Sequence, residues 1–274
     1  MTEPLSPEEL AAYHENGFLL VKNLISRQEA LAMREECHAL AARLNSDVDP
    51  TWASARAVAG ASATRTSLKH AHDTQFHSAA FARLLVDPRF TDVAAALLGG
   101  PNVQLHHTKM FIKPPETGSP FPLHQDHPFF PHAEHTVAAA VFHFDDAPQE
   151  KGCIRAVPGS HRLGPLPHVE DGSWHLPPDT WRLQDTQPCP AEAGDVLFFS
   201  YLTVHGSGLN TSQEARTTWL VQFRDPADRP TVDEHTWSLG QGMVLRGIDP
   251  TARRTPTARR TPTARRTEGT NEPK

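Results

Sequence analysis

The chain has 274 residues, a length that suits one large domain with a substantial buried core. Its formal charge of −6 is unevenly spread, because residues 251–274 carry six Arg and one Lys against two Glu, leaving about −11 on residues 1–250. A folded part this acidic argues against nucleic acid as its partner. No run of about 18 apolar residues offers a membrane span, and Met1 to Ser6 lack the basic and apolar regions of a signal peptide. Cys37, Cys153 and Cys189 form no CxxC pair and are odd in number. They point to a reduced, intracellular, cytoplasmic protein without a disulfide frame.

Ser6-Pro7-Glu8-Glu9 combines an N-cap serine, proline at the first helical position and glutamate three residues after the cap, so a helix is expected up to Asn16, stopped by Gly17. Phe18 to Val21 reads as a short strand. Ser26-Arg-Gln-Glu29 is a second capping box, opening a helix to Leu44 with Ala30, Met33, Cys37, Leu40 and Leu44 on one stripe. Residues 45–66 are small and polar and read as a loop. Lys69, His70 and His72 follow, facing either a site or solvent. Ser78 to Leu85 and Pro88 to Leu98 are two further helical segments, closed by Gly99-Gly100-Pro101.

From Val103 the pattern becomes that of strands: Val103 to Lys113, Thr136 to Phe144, Cys153 to Val157, Val196 to Tyr201 and Ala215 to Arg224, separated by Gly and Pro turns. The proline-rich stretch 164–190 is expected to be irregular. So is 225–250, with Val232, Trp237, Leu239, Val244 and Leu245 as apolar anchors. The tail repeats TARRTP with a period of six and reads as a disordered basic extension of a single domain over 1–250. Helices first, then many short strands, predict a mainly β fold with N-terminal helices, a double-stranded β-helix or jelly-roll barrel of cupin-like type (helical part about 1–100, core about 101–225).

Such a barrel can bring distant strands to one mouth. His124-x-Asp126 presents an imidazole and a carboxylate on one side of a strand, and His205, 81 residues later, would complete the two-His, one-carboxylate set of non-haem Fe(II) oxygenases. A hairpin turn at Asn210 to Gln213 would return Arg216 opposite Ser207 or Gly208. Arg216 and Ser207 together make a receptor for a carboxylate. His127, His132 and His135 are expected on a loop over the mouth, and His161 in a structural turn.

Leu123-His-Gln-Asp126, preceded by His107-Thr and Lys113-Pro-Pro, is followed by Gly152-Cys with Val157-Pro-Gly-Ser-His161, by Gly194-Asp195 with Phe199, and by His205-Gly-Ser-Gly with Asn210 and Arg216. Over residues 5–225 this ordered set resembles the phytanoyl-CoA dioxygenase family of Fe(II)- and 2-oxoglutarate-dependent oxygenases. The resemblance implies His124, Asp126 and His205 as iron ligands and Arg216 with Ser207 at the distal carboxylate of 2-oxoglutarate. It further implies Lys69 as an assisting lysine, Thr108 and Gln125 as lining residues, and O2 as the second co-substrate. Asp126 occupies the position that halogenating members leave small, so hydroxylation of an unactivated C–H is expected, with release of succinate and CO2. Desaturation, rearrangement or epimerisation with the same cofactors is the alternative, and a cupin-like metal-binding protein without turnover is the rival. The acidic folded part favours a small neutral or cationic substrate, such as a secondary metabolite, over an acyl-CoA. A monomer or homodimer is expected.

Overall fold

The computed structural model describes residues 3–44, 68–115, 119–171, 173–232 and 238–252. The loop expected at 45–66, Trp237 and the repeats from residue 253 lie outside them.

Both capping boxes form as expected. α1 (Pro7–Asn16) starts at Ser6, whose side chain accepts from the Glu9 N–H while Glu9 accepts from the Ser6 N–H, and it ends at Gly17 with φ 81°. α2 (Arg27–Leu44) buries Ala30, Met33, Cys37, Leu40 and Ala41. Leu44 leaves that stripe and is 39% exposed. The last turn has drifted off the contact face, as a 3.6-residue period does against a straight seam. α3 (Ala79–Leu85) and α4 (Pro88–Leu98) are capped by the side chains of Ser78 and Asp87.

The helices cover one face of a seven-stranded antiparallel sheet. Its strands are β1 (Phe18–Val21), β2 (Lys69–His72), β3 (Val103–Lys113), β5 (Ala138–His143), β10 (Val196–Ser200), β12 (Arg216–Arg224) and β13 (Val244–Arg246). The order is β1-β10-β5-β12-β3-β13, with β2 also paired to β3. Facing it, a four-stranded sheet runs β4 (Phe121–His124), β11 (His205–Ser207), β6 (Ile154–Ala156), β9 (Gln187–Cys189). β7 (Val169–Asp171) and β8 (Ser173–His175) form a separate hairpin. The expected jelly roll is thus present. Among the described residues no helix is long and apolar enough to cross a membrane.

Alternation along the large sheet assigns every side chain a layer. Met110, Ile112, Ala138, Ala140, Phe142, Val196, Phe198, Trp219, Val221 and Phe223 join the helices in the main core. Trp219 is fully buried against Phe81 and Phe142, ring centroids 5.2 Å away in each case, and its Nε1–H donates to Thr74 Oγ1 at 2.8 Å. Ala139, Val141, Leu197 and Phe199 point the other way, toward Ile154, Ala156 and Cys189 of the small sheet. In β3 the register with β12 slips by one residue between the pairs His107–Gln222 and Leu105–Phe223. This bulge at His106 puts Leu105 on the helix side although His107 faces inward.

Three stretches depart from expectation. The 164–190 segment contains three short strands, β7, β8 and β9, rather than irregular chain; two of them pair with each other, so prolines at 165, 167, 177 and 178 flank a hairpin without entering it. β13 lies within 225–250, adding to the edge of β3. Of the apolar anchors there, Leu245 is buried, but Val232 and Leu239 are 53% and 81% exposed. Finally, β11 and β12 are not a hairpin: residues 208–215 carry the chain from the small sheet to the large one, and Arg216 pairs with Lys113 of β3.

The turn into β10 requires glycine. Gly194 has φ 108°, and a Cβ there would lie 2.5 Å from the backbone oxygen of Ile25. Next to it the buried Asp195 accepts from Lys22 Nζ and from the backbone N–H of Asn23 and Glu192, tying the β1 end to the turn. Gly194→Ala is expected to cost roughly 2 kcal/mol of stability, read as a lowered urea midpoint; an unchanged midpoint would show that the turn relaxes freely.

Candidate active site between the two sheets

The inward rows enclose a cavity of about 490 Å³. β3 contributes His107, Lys109 and Phe111; β12 contributes Arg216, Thr218, Leu220 and Gln222. The opposite wall holds Phe121 and His124 from β4, His205 and Ser207 from β11, and Phe129 and Phe130 from the turn after β4, with Glu170 and Trp174 of the β7–β8 hairpin beside them.

His124 and His205 are direct cross-strand partners in the β4–β11 pair, ring centroids 4.4 Å apart. Gly206 permits this approach, since a Cβ on it would stand 2.8 Å from the backbone oxygen of Phe121. Each ring is held by its Nδ1–H, donating to Pro122 O at 2.8 Å in His124 and to Thr203 O at 2.9 Å in His205. Both Nε2 lone pairs are therefore aimed into the cavity. Asp126 Oδ1 lies 3.6 Å from His124 Nε2 and 3.9 Å from His205 Nε2. All three ligand atoms fall within 4.8 Å of one another, the convergence one metal ion needs. β4 ends at His124, so strand alternation alone does not deliver Asp126. Its backbone N–H donates to Tyr201 O at 2.9 Å as the chain enters a 3₁₀ turn, and Gln222 Nε2 donates to its Oδ2 at 2.7 Å. That second bond leaves Oδ1 for a metal.

Burial raises the pKa of Asp126, but the two imidazoles and Gln222 outweigh it and bring the carboxyl down to about 2. Burial lowers His205 to about 4. Around neutral pH the carboxylate is thus charged and the His205 imidazole neutral, the forms that bind a metal.

A basic cluster occupies the other end of the cavity. Arg216 is buried, donates through Nη1 to Gly152 O, and has its buried Nε unpartnered. Lys113, its cross-strand neighbour, is fully buried and donates through Nζ to Ser207 Oγ and Gly208 O, both at 2.7 Å. Burial lowers Arg216 to about 10 and, aided by the nearby guanidinium, pushes Lys113 well below the usual lysine range. The orphaned Nε, the hydroxyl and the adjoining ammonium form a receptor for one carboxylate.

Among the expected residues, His124, Asp126, His205, Ser207 and Arg216 come together here. Lys69, Thr108 and Gln125 do not line the cavity. Lys69 is exposed on β2. Thr108 faces the helix layer and donates to Gln75 Oε1. Gln125 is turned away, donating to Gly164 O and Leu202 O and accepting from Leu166 N–H, so it anchors the 164–166 loop. His127 and His135 pack on Tyr201, and His161 packs under Gly17, bonded to His14 O. His107, Lys109, Lys113 and Gln222 were missed; extending the period of two along β3 from Lys113 and along β12 from Arg216 would have found all four.

The profile of the phytanoyl-CoA dioxygenase family matches residues 13–218. The chain belongs to that family. The family is one of iron- and 2-oxoglutarate-dependent oxygenases. It is 30% identical over 230 residues to rat peroxisomal phytanoyl-CoA dioxygenase, covering 77% of this chain and 66% of the rat protein, so it spans just under two thirds of that relative. A methylphosphonate hydroxylase from Gimesia maris is 26% identical, with 86% of each chain covered. Among solved structures, the epimerase SnoN, crystallised with Fe3+, alpha ketoglutarate and nogalamycin RO, superposes with TM-score 0.68 at 24% identity, over 87% of this chain and 98% of SnoN, which speaks for the fold.

Two outcomes follow from the site. Gln222→Leu should leave the fold intact and weaken Fe(II) binding about 10- to 100-fold, as loss of a bond orienting a ligand does; titration with Fe(II) under argon measures it, and unchanged affinity would remove Gln222 from this role. The second concerns His143, buried near Arg216. Burial, then the Arg216 charge, lower its pKa from 6.5 to about 3. Since the unfolded chain takes up this proton first, the neutral ring's contribution is complete above pH 6.5 and is lost as pH falls from 6.5 toward 3. His143→Phe should therefore flatten the fall in Tm between pH 7 and 4.5, and an unaltered slope would exclude His143 as a contributor.

Proposed function

We propose that the protein hydroxylates an unactivated C–H bond of a small molecule while 2-oxoglutarate and O2 are converted to succinate and CO2, one oxygen atom entering each organic product. The observation that carries this is the shared cavity: three converging ligand atoms lie at one end and the Arg216–Lys113–Ser207 cluster at the other.

In this reading His124, Asp126 and His205 would hold Fe(II). Bound there, the iron supplies O2 activation and the electron transfers that C–H oxidation needs. The chain's own contributions are positioning and exclusion of water. Arg216 and Ser207 grip the distal carboxylate of 2-oxoglutarate, orienting its keto-acid end toward the ligands. Lys113 holds the Ser207 hydroxyl in place and adds charge. Gln222 keeps Asp126 turned to the two imidazoles. Phe121, Phe129, Phe130 and Trp174 supply apolar walls that keep water from the reacting centre.

Anaerobic addition of 2-oxoglutarate to the Fe(II) protein should produce a weak visible charge-transfer band. Arg216→Ala should need at least about tenfold more 2-oxoglutarate, the loss of a charge-assisted hydrogen bond. Asp126→Ala should release no succinate. Metal binding without any 2-oxoglutarate-dependent band, or succinate release surviving in Asp126→Ala, would refute the assignment.

A further inference from the structure

A second pocket, of about 440 Å³, adjoins the main cavity and shares Phe129, Glu170 and Trp174 with it. Its other walls are prolines, Leu166, Val232 and the imidazoles of His127 and His168. The shared residues come from the β7–β8 hairpin and the turn after β4. Glu170 and Trp174 are direct cross-strand partners, so their side chains stand together on one face of the hairpin. That face is turned to both pockets. The Trp174 indole packs on the Phe129 ring, centroids 5.8 Å apart, and the Phe129 ring lies 6.3 Å from that of His124. A group resting on this aromatic pair is therefore close to the three converging ligand atoms. The hairpin is tied down beside them. Leu176 N–H donates to Leu123 O at 2.8 Å, and Gln125 bonds both Gly164 O and Leu166 N–H of the loop leading in.

Charge selects the occupant of the outer pocket. Among the described residues that line it, Glu170 is the only acid and none is a lysine or arginine. His168 is fixed as a neutral ring by its two bonds, with Nδ1–H donating to Leu166 O at 2.8 Å and Nε2 accepting the Gln125 N–H at 2.9 Å. A carboxylate beside an indole and a phenyl ring attracts an ammonium ion twice over, through its own charge and through the negative faces of the rings. Arg216 and Lys113, at the co-substrate end of the main cavity, stand outside this pocket. We propose that the outer pocket receives the protonated amine or quaternary ammonium group of the molecule that is oxidised. Glu170 is its counter-ion, Trp174 and Phe129 supply the aromatic faces, and the rest of the molecule reaches past Phe129 toward the metal ligands. This rests on the oxygenase function proposed above and names the class of its substrate: an amine-bearing small molecule, oxidised at a carbon remote from the nitrogen.

The test is calorimetric, under argon, on the full chain loaded with Fe(II) and 2-oxoglutarate. Its probes share one scaffold and differ in charge: 3-phenylpropan-1-amine as its ammonium ion, 3-phenylpropan-1-ol and 3-phenylpropanoate. Wild type should bind the amine at least about fivefold more tightly than the alcohol, the combined effect of one exposed ion pair and a cation–π contact, and the acid most weakly. Glu170 is exposed, so Glu170→Gln leaves the core untouched. That substitution should bring amine and alcohol within about twofold of each other, and Trp174→Leu should also narrow the ratio. Alcohol bound as tightly as amine by wild type, an amine that does not bind, tightest binding of the acid, or an amine preference that survives either substitution would overturn the proposal. Absence of the charge-transfer band in wild type, with the amine preference intact, is a different failure: it would refute the oxygenase function and leave the cation pocket standing.

Discussion

A strand covered on both faces must satisfy two environments with one alternating row of side chains, and the central strands of the large sheet do this along their whole length. β12 alternates Thr217, Trp219, Val221 and Phe223 toward the helices with Arg216, Thr218, Leu220 and Gln222 toward the cavity. The apolar row supplies the burial that holds the sheet together. The polar row is fixed in space as a consequence, with no loop needed to position it. Sites built on strands inherit the rigidity of the core beneath them.

That economy has an electrostatic cost. Arg216 and Lys113 are both buried on the inner face, side by side. In a free globular domain such an arrangement is unfavourable; in a pocket that takes anions it is preorganisation, since the desolvation has been suffered before the ligand arrives. The lowered pKa values of both groups express the same fact from the protein's side.

Much of this was legible in the sequence, and the boundary is physical. Capping boxes, glycine stops and strand periodicity depend on near neighbours, so α1, α2, β3 and β12 emerged close to their observed limits. The convergence of His124, Asp126 and His205 was legible because three residue types in order are chemically specific. What was hidden depends on pairing. Nothing local says that Arg216 faces Lys113 rather than Ser207, because which strand a segment joins is settled by the two-sheet topology. Lys69 and Lys109 look alike as isolated lysines; only the β2–β3 register exposes one and encloses the other. Gln125 was expected to line the site, yet its position between His124 and Asp126 makes it point away from them.

The bulge at His106 holds the one residue of β3 that the ladder with β12 leaves unused between His107 and Leu105. On its C-terminal side β3 is held in phase by the Lys113–Arg216 pair; on its N-terminal side β13 and the helix layer take up the opposite phase at Leu105. A frame that drops His106 keeps both phases, because Leu105 and His107 then alternate as neighbours in a regular ladder. The bulge is thus the place where β3 can lose a residue without exchanging the wall of the pocket for a strip of the core.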